Sequence, residues 1–194
     1  GVKVARGVGG SHFGRKVLKE LVFNGNYGES LDEKIQVLSR RKIELKNDEV
    51  KSLYEELKSN PKSQTEVTWS NFASICVQQS SENVLQLLKR EFKEAVELPL
   101  VRLSIALSLS SAKKKNLGEI WSLLEPLEKM LDNPSPHPLA LNAFISYFIA
   151  TKNQSKLREL LSKMSPSNTT QGKNFALLRV ASFLGDTKKA EEIF

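Results

Sequence analysis

Residues 139–164 read LALNAFISYFIATKNQSKLRELLSKM. In the first half Leu141, Phe144, Ile145 and Phe148 recur at helical spacing, and in the second half Leu157, Leu160, Leu161 and Met164 do the same. Between them Lys152-Asn153-Gln154-Ser155 is polar, and the side-chain oxygen of Asn153 or Ser155 can accept an orphan amide at the start of the second helix. The stretch therefore predicts a helical hairpin, each helix apolar on one face.

Comparable stretches flank it. Ser30-Leu31-Asp32-Glu33 has the form of a capping box and opens a helix bearing Leu31, Ile35 and Leu38. Asn47-Asp48 restarts the chain into a helix with Val50, Leu53, Tyr54 and Leu57, ending before Asn60-Pro61. Thr68 is expected to cap a helix with Trp69, Phe72, Ile75 and Cys76, separated by Ser80-Ser81 from its partner with Val84, Leu85, Leu87, Leu88 and Phe92. Pro99 suits a first helical turn, where its missing amide costs nothing. It precedes Leu103, Ile105, Ala106 and Leu109. After the break at Lys113-Lys114-Lys115-Asn116, one helix is expected from Leu117 through Leu131. Following a loop at 165–172, Phe175, Leu178, Ala181 and Leu184 predict an apolar face, and Asp186 a cap for the last helix. A short helix is expected from Arg15 to Phe23. No strand-like alternation persists, so the class is all-α.

A fixed period separates stacked hairpins from a globular bundle. With Leu139 as a first residue, equivalent starts fall at Asp32, Val67, Arg102 and Gly172, at intervals of 35, 35, 37 and 33. In that register Val50, Leu85, Ile120, Leu157 and Ala190 are equivalent, as are Leu53, Leu88, Leu123, Leu160 and Ile193. One repeat cannot bury such a face alone, so neighbours are expected to share a continuous core.

These residues resemble the pentatricopeptide repeat family. Leu141-Asn142-Ala143-Phe144-Ile145-Ser146 is similar to that family's Tyr-Asn-x-Leu-Ile-x start, and 157–164 to its Ala-x-x-Leu-Phe-x-x-Met ending. Val67-Thr68-Trp69-Ser70 and Ala190-Glu191-Glu192-Ile193-Phe194 are partial matches. Tetratricopeptide-like repeats are the rival, since their period is 34 and their hairpin is the same. The expected fold is an all-α, right-handed α-solenoid of stacked helix-turn-helix repeats of about 35 residues. It would comprise a basic, glycine-rich segment 1–29 and a helical-repeat domain 30–194, the whole a fragment of a longer array.

The resemblance implies binding of single-stranded RNA without catalysis, in mitochondrial RNA stability, processing or translation. It also implies that each repeat reads a base with a polar residue early in its first helix and one at the repeat's end. The early positions are Ile35, Ser70, Ile105, Asn142 and Phe175; the end positions are Glu66, Val101, Pro138 and Gln171. Only Asn142 with Gln171 is polar at both, and Ser70 with Val101 is half a pair. Lys113, Lys114 and Lys115, and Arg40, Arg41 and Lys42, are candidate phosphate contacts, although such clusters at turns are commonly solvated. The alternative is a protein-binding scaffold or a subunit of a larger assembly, its groove apolar at Ile35, Ile105 and Phe175. Partners are then single-stranded RNA, proteins of a ribonucleoprotein assembly, or both.

Composition narrows the classes further. The chain carries a net +7, yet residues 1–19 hold Lys3, Arg6, Arg15, Lys16 and Lys19 with no acid, leaving 24 cations against 22 carboxylates beyond them. Any basic footprint in the body must therefore be a local arrangement. Gly9 to Arg15 has the look of a phosphate loop, but Gly14 is followed by Arg15-Lys16-Val17 where Gly-Lys-Ser/Thr is required. No apolar run is long enough to span a membrane. Cys76 is the one cysteine and reads as a core thiol. His12 and His137 stand apart in loops, and Asp32, Asp48, Asp132 and Asp186 sit where capping explains them. No catalytic residue, metal site, cofactor or small-molecule substrate is expected. Trp69 and Trp121 read as packing residues rather than base-stacking platforms.

Overall fold

The computed structural model describes residues 12–23, 30–164 and 171–193, and the described residues are helical, with no strand among them. The chain divides into two compact units, 1–101 and 102–194. The first holds α1 (His12–Phe23), α2 (Leu31–Arg40), α3 (Asn47–Lys58), α4 (Glu66–Gln78), α5 (Glu82–Glu91) and α6 (Lys93–Glu97). The boundary falls within α7 (Pro99–Ser110), and the second unit continues with α8 (Leu117–Leu124), α9 (Pro138–Ala150), α10 (Gln154–Lys163), α11 (Gln171–Leu184) and α12 (Thr187–Ile193). Among the described residues no helix is long and apolar enough to cross a membrane.

The hairpin at 139–164 is α9 and α10, and its second helix has counterparts at even spacing. Second helices begin at Asn47, Glu82, Leu117, Gln154 and Thr187, at intervals of 35, 35, 37 and 33 residues. Val50, Leu85, Ile120 and Leu157 are all buried, as are Leu53, Leu88 and Leu160, while Leu123 is half-buried.

First helices also end alike. Lys42, Ser80, Lys152 and Gly185 take positive φ of 48°, 54°, 54° and 69°. The next amide reaches back to the helix: Ile43 to the Leu38 carbonyl, Ser81 to Cys76, Asn153 to Phe148 and Asp186 to Ala181, at 2.9 to 3.2 Å. This left-handed closure satisfies carbonyls that the helix end would strand. In the later hairpins the following residue then caps the partner helix. Asn153 Oδ1 accepts the Lys156 amide at 3.2 Å and Asp186 Oδ1 the Lys189 amide at 3.1 Å. The turn after α7 has no left-handed residue, and Asn116 Oδ1 caps α8 through the Glu119 amide at 3.1 Å.

In the first unit α2 packs on α4, and α5 on both α3 and α4. Trp69, Phe72, Tyr54 and Phe92 form its aromatic centre, with Trp69 and Phe92 centroids 4.7 Å apart. The Tyr54 hydroxyl donates to Glu91 Oε2 at 2.6 Å, and Lys58 Nζ donates to the same oxygen at 2.8 Å. Burial, then the Glu91 carboxylate, push the Tyr54 phenol well above its ordinary value. In the second unit α9 packs against α8, α10 and α11, and α11 against α10 and α12. Trp121 stacks on Tyr147 at 5.1 Å, and the Arg102 guanidinium donates to the Leu123 and Ser122 carbonyls near the end of α8.

Four expectations are corrected. Thr65, not Thr68, is the N-cap of α4: its Oγ1 accepts the Thr68 amide at 3.3 Å, and Thr68 is buried within the first turn. The helix expected through Leu131 stops at Leu124 and continues as a 3-10 segment, Glu125–Asp132, because Pro126 lacks an amide and its ring clashes with the carbonyl four residues back. The buried face of α11 is Lys173, Ala176, Leu177, Val180 and Ala181; Phe175 is 67% exposed. A strict three-residue spacing from Phe175 drifts around the helix, whereas this set follows the 3.6-residue turn. Finally, α6 lies where no helix was expected.

Candidate functional site

The base-reading positions implied by the family resemblance are mostly occupied with packing. Ile35 and Ile105 are buried, and so is Ser70, whose hydroxyl donates to the Leu100 carbonyl at 3.2 Å. Glu66 Oε1 accepts the Leu100 amide at 2.9 Å, Val101 is buried, and Pro138 is the first residue of α9. Asn142 is half-buried, and its Nδ2 donates to the Pro138 carbonyl one turn earlier at 2.9 Å. Gln171 opens α11, its side chain lying outside the described residues. The two polar readers are thus not brought together on described atoms, and Asn142 spends its donor within its own helix.

The cationic candidates fare differently. Lys113, Lys114 and Lys115 are exposed in the bend before α8. Arg40 and Arg41 are exposed at the end of α2, and Lys42 follows as the left-handed residue that turns the chain. Residues 43–46 then run to α3 with side chains alternating: Ile43 and Leu45 are buried at 1% and 6% exposure, while Lys42, Glu44 and Lys46 face outward. Gln79, just past α4, holds this segment from behind. Its Nε2 donates to the Ile43 carbonyl at 2.9 Å and its Oε1 accepts the Leu45 amide at 3.1 Å, as a neighbouring strand would.

Against that segment lies α1. Arg15, Lys16 and Lys19, together with Lys42, Ile43, Glu44, Leu45 and Lys46, line a cleft of about 350 Å³. Lys19 Nζ donates to Glu49 Oε1 at 2.7 Å, tying α1 to the first turn of α3. Burial would raise the Glu49 carboxyl, but the hydrogen bonds from Lys19 and from the Lys46 amide outweigh it and hold it below its usual range. Arg15, Lys16 and Lys42 form no ion pair among the described residues. No sequence pattern joined 15–19 to 42–46; the acid-free run at the start of the chain and the Arg40-Arg41-Lys42 cluster were the visible signals.

A second hollow, of about 40 Å³, is lined by three carboxylates, Glu128, Asp132 and Glu159, against two lysines, Lys156 and Lys163, so it carries no excess of cations. There Lys156 donates to Glu128 at 3.1 Å and Lys163 to Glu159 at 2.8 Å, which raises both ammonium groups and lowers Glu159. No group of three His, Cys, Asp or Glu side chains that could hold a metal ion is present among the described residues. His137 is exposed and its Nδ1 accepts the Leu139 amide at 3.1 Å. Cys76 is buried, and burial pushes its thiol up to about 12. Trp69 lies among aromatic rings in the core, as the packing reading expects.

Compared with models of known protein families, with curated proteins and with solved structures, the chain matches none.

Proposed function

We propose that this chain is part of a right-handed α-solenoid of the pentatricopeptide kind that binds single-stranded RNA without catalysing a reaction, in mitochondrial RNA stability, processing or translation. The organelle and the family rest on the sequence resemblance. The observation that carries the repeat reading is the even recurrence of second helices at 47, 82, 117, 154 and 187, with one turn geometry closing four of the five hairpins. Within each unit, neighbouring first helices pack together (α2 on α4, α9 on α11), which is how stacked hairpins share a core.

Binding to RNA would run through the sugar-phosphate backbone more than through base edges. Ile35, Ser70 and Ile105 are buried, whereas Arg40 and Arg41 are exposed at the end of α2. Backbone contact gives affinity that tolerates sequence and falls with salt. Crosslinking the protein in cells and sequencing attached RNA tests this: RNA spanning varied sequences is expected, and recovery of proteins alone would overturn it. Replacing Asn142 and Gln171 with alanine is expected to change affinity by less than the roughly fivefold that a lost base contact costs.

One observation favours the scaffold reading: Phe175 and Phe183 on α11 are 67% and 39% exposed, two large apolar groups on one helix. Exposed aromatics of this kind suit a protein contact.

A further inference from the structure

We propose that the cleft between α1 and the segment joining α2 to α3 is a phosphate-backbone site, taking successive phosphodiesters of single-stranded RNA. The inference deepens the RNA reading and rests on it. It locates binding at a place outside the base-reading positions, with a wall, α1, that precedes the first repeat.

The cleft is built rather than accidental. On one side the helical spacing of Arg15 and Lys16 relative to Lys19 sets all three on the face of α1 that the Lys19–Glu49 pair turns toward α3. On the other, Lys42 and Lys46 are held outward because Ile43 and Leu45 are anchored in the core and Gln79 fixes the backbone between them. Five cations therefore share one cleft with Glu44, while Glu49 is engaged by Lys19 and by the Lys46 amide. Like charges brought this close repel one another, and a polyanion entering the cleft relieves that repulsion while releasing its own counterions. The buried Ile43 and Leu45 give the site an apolar floor, along which the aliphatic stems of the cations can lie with their charged heads in water.

A polymer of phosphates fits better than a single anion because the cations are distributed along two walls rather than converging on one point. Mixed Arg and Lys suits backbone contact: the guanidinium can bridge two phosphate oxygens while the ammonium groups supply mobile charge.

The test uses the chain with a fluorescently labelled single-stranded oligouridylate, read by anisotropy across a salt series. Neutralising Arg15→Gln with Lys16→Gln, and separately Lys42→Gln with Lys46→Gln, is expected to weaken binding at least about tenfold. Each pair should reduce the slope of log affinity against log salt by about 1.4, two single-strand contacts at about 0.7 each. The exposed triple Lys113→Gln, Lys114→Gln, Lys115→Gln should stay within about twofold, as a solvated cluster would. Circular dichroism melts check that the substituted residues, all exposed, leave folding intact. If the wild type binds and the cleft variants keep its affinity and slope, the cleft assignment is wrong and the RNA reading stands. No binding by the wild type removes both. Equal binding of a labelled polyglutamate, or displacement of the oligonucleotide by equimolar inorganic phosphate, would overturn the assignment to RNA.

Discussion

Two turns of this molecule carry runs of cations, and they are built in opposite ways. At 40–46 a left-handed residue closes α2, two apolar side chains insert into the core, and Gln79 grips the backbone at both ends of a dipeptide. At 111–116 the chain bends with Lys113, Lys114 and Lys115 exposed, no left-handed closure, and Asn116 capping the next helix. In sequence both are short basic runs beside a helix. The difference lies in the backbone: the first turn's is held by Gln79 and two buried side chains before any ligand arrives, so less order remains to be imposed on binding there. A charge run says little about binding until its backbone is known.

The comparison can be broken most severely at the clamp. Gln79→Ala leaves the Ile43 carbonyl and Leu45 amide without partners and is expected to cost about 2 kcal/mol in urea unfolding, with faster amide exchange across 43–46. Unchanged exchange there would mean the segment is held by Ile43 and Leu45 alone. Acid should sharpen the contrast. Glu49 has its carboxyl depressed below the usual 4.5, so its contribution is complete above 4.5 and is lost as pH falls through the folded value. Between pH 6 and 3, hydrogen exchange should therefore show α1 loosening from α3, while the 111–116 turn, with no acid paired to its lysines among the described residues, holds steady. Smaller still, Lys42→Gly should stabilise by about 0.5 kcal/mol, since relief of a left-handed side chain exceeds the extra freedom of glycine in the unfolded chain. A raised urea midpoint checks this. Lys114→Ala is expected to move the midpoint by less than about 0.3 kcal/mol, the usual worth of an exposed, unpaired charge.

Much of the fold could be read from the sequence because it is encoded locally. Asn153 and Asp186 act as the caps their residue types suggest, and Pro99 opens α7 where its missing amide is harmless. Apolar residues at second-helix positions, from Val50 to Leu157, recur closely enough to set the register. The failures came where local signals compete. Pro126 overrode an apolar pattern that ran on to Leu131, and the bulk of Phe175 drew attention to the wrong face of α11. Nothing in the sequence marks Gln79 as a clamp, since a glutamine beyond a helix end looks like any solvated residue. The cleft was equally hidden: its walls are separated by some 25 residues, and charge alone does not say which cations face one another.

Cys76 carries one more consequence. A solitary thiol, buried in α4 and protonated up to about 12, is chemically silent while its helix is closed. Its rate of modification by a small thiol reagent is then a clock for the opening of the first unit, started without any label or substitution. Because only the opened form reacts, the ratio of that rate to the rate for an unfolded thiol, at reagent concentrations where reclosing outpaces modification, gives the free energy of opening α4. The wild-type chain thus has its own gauge of how firmly the first unit holds the cleft in place.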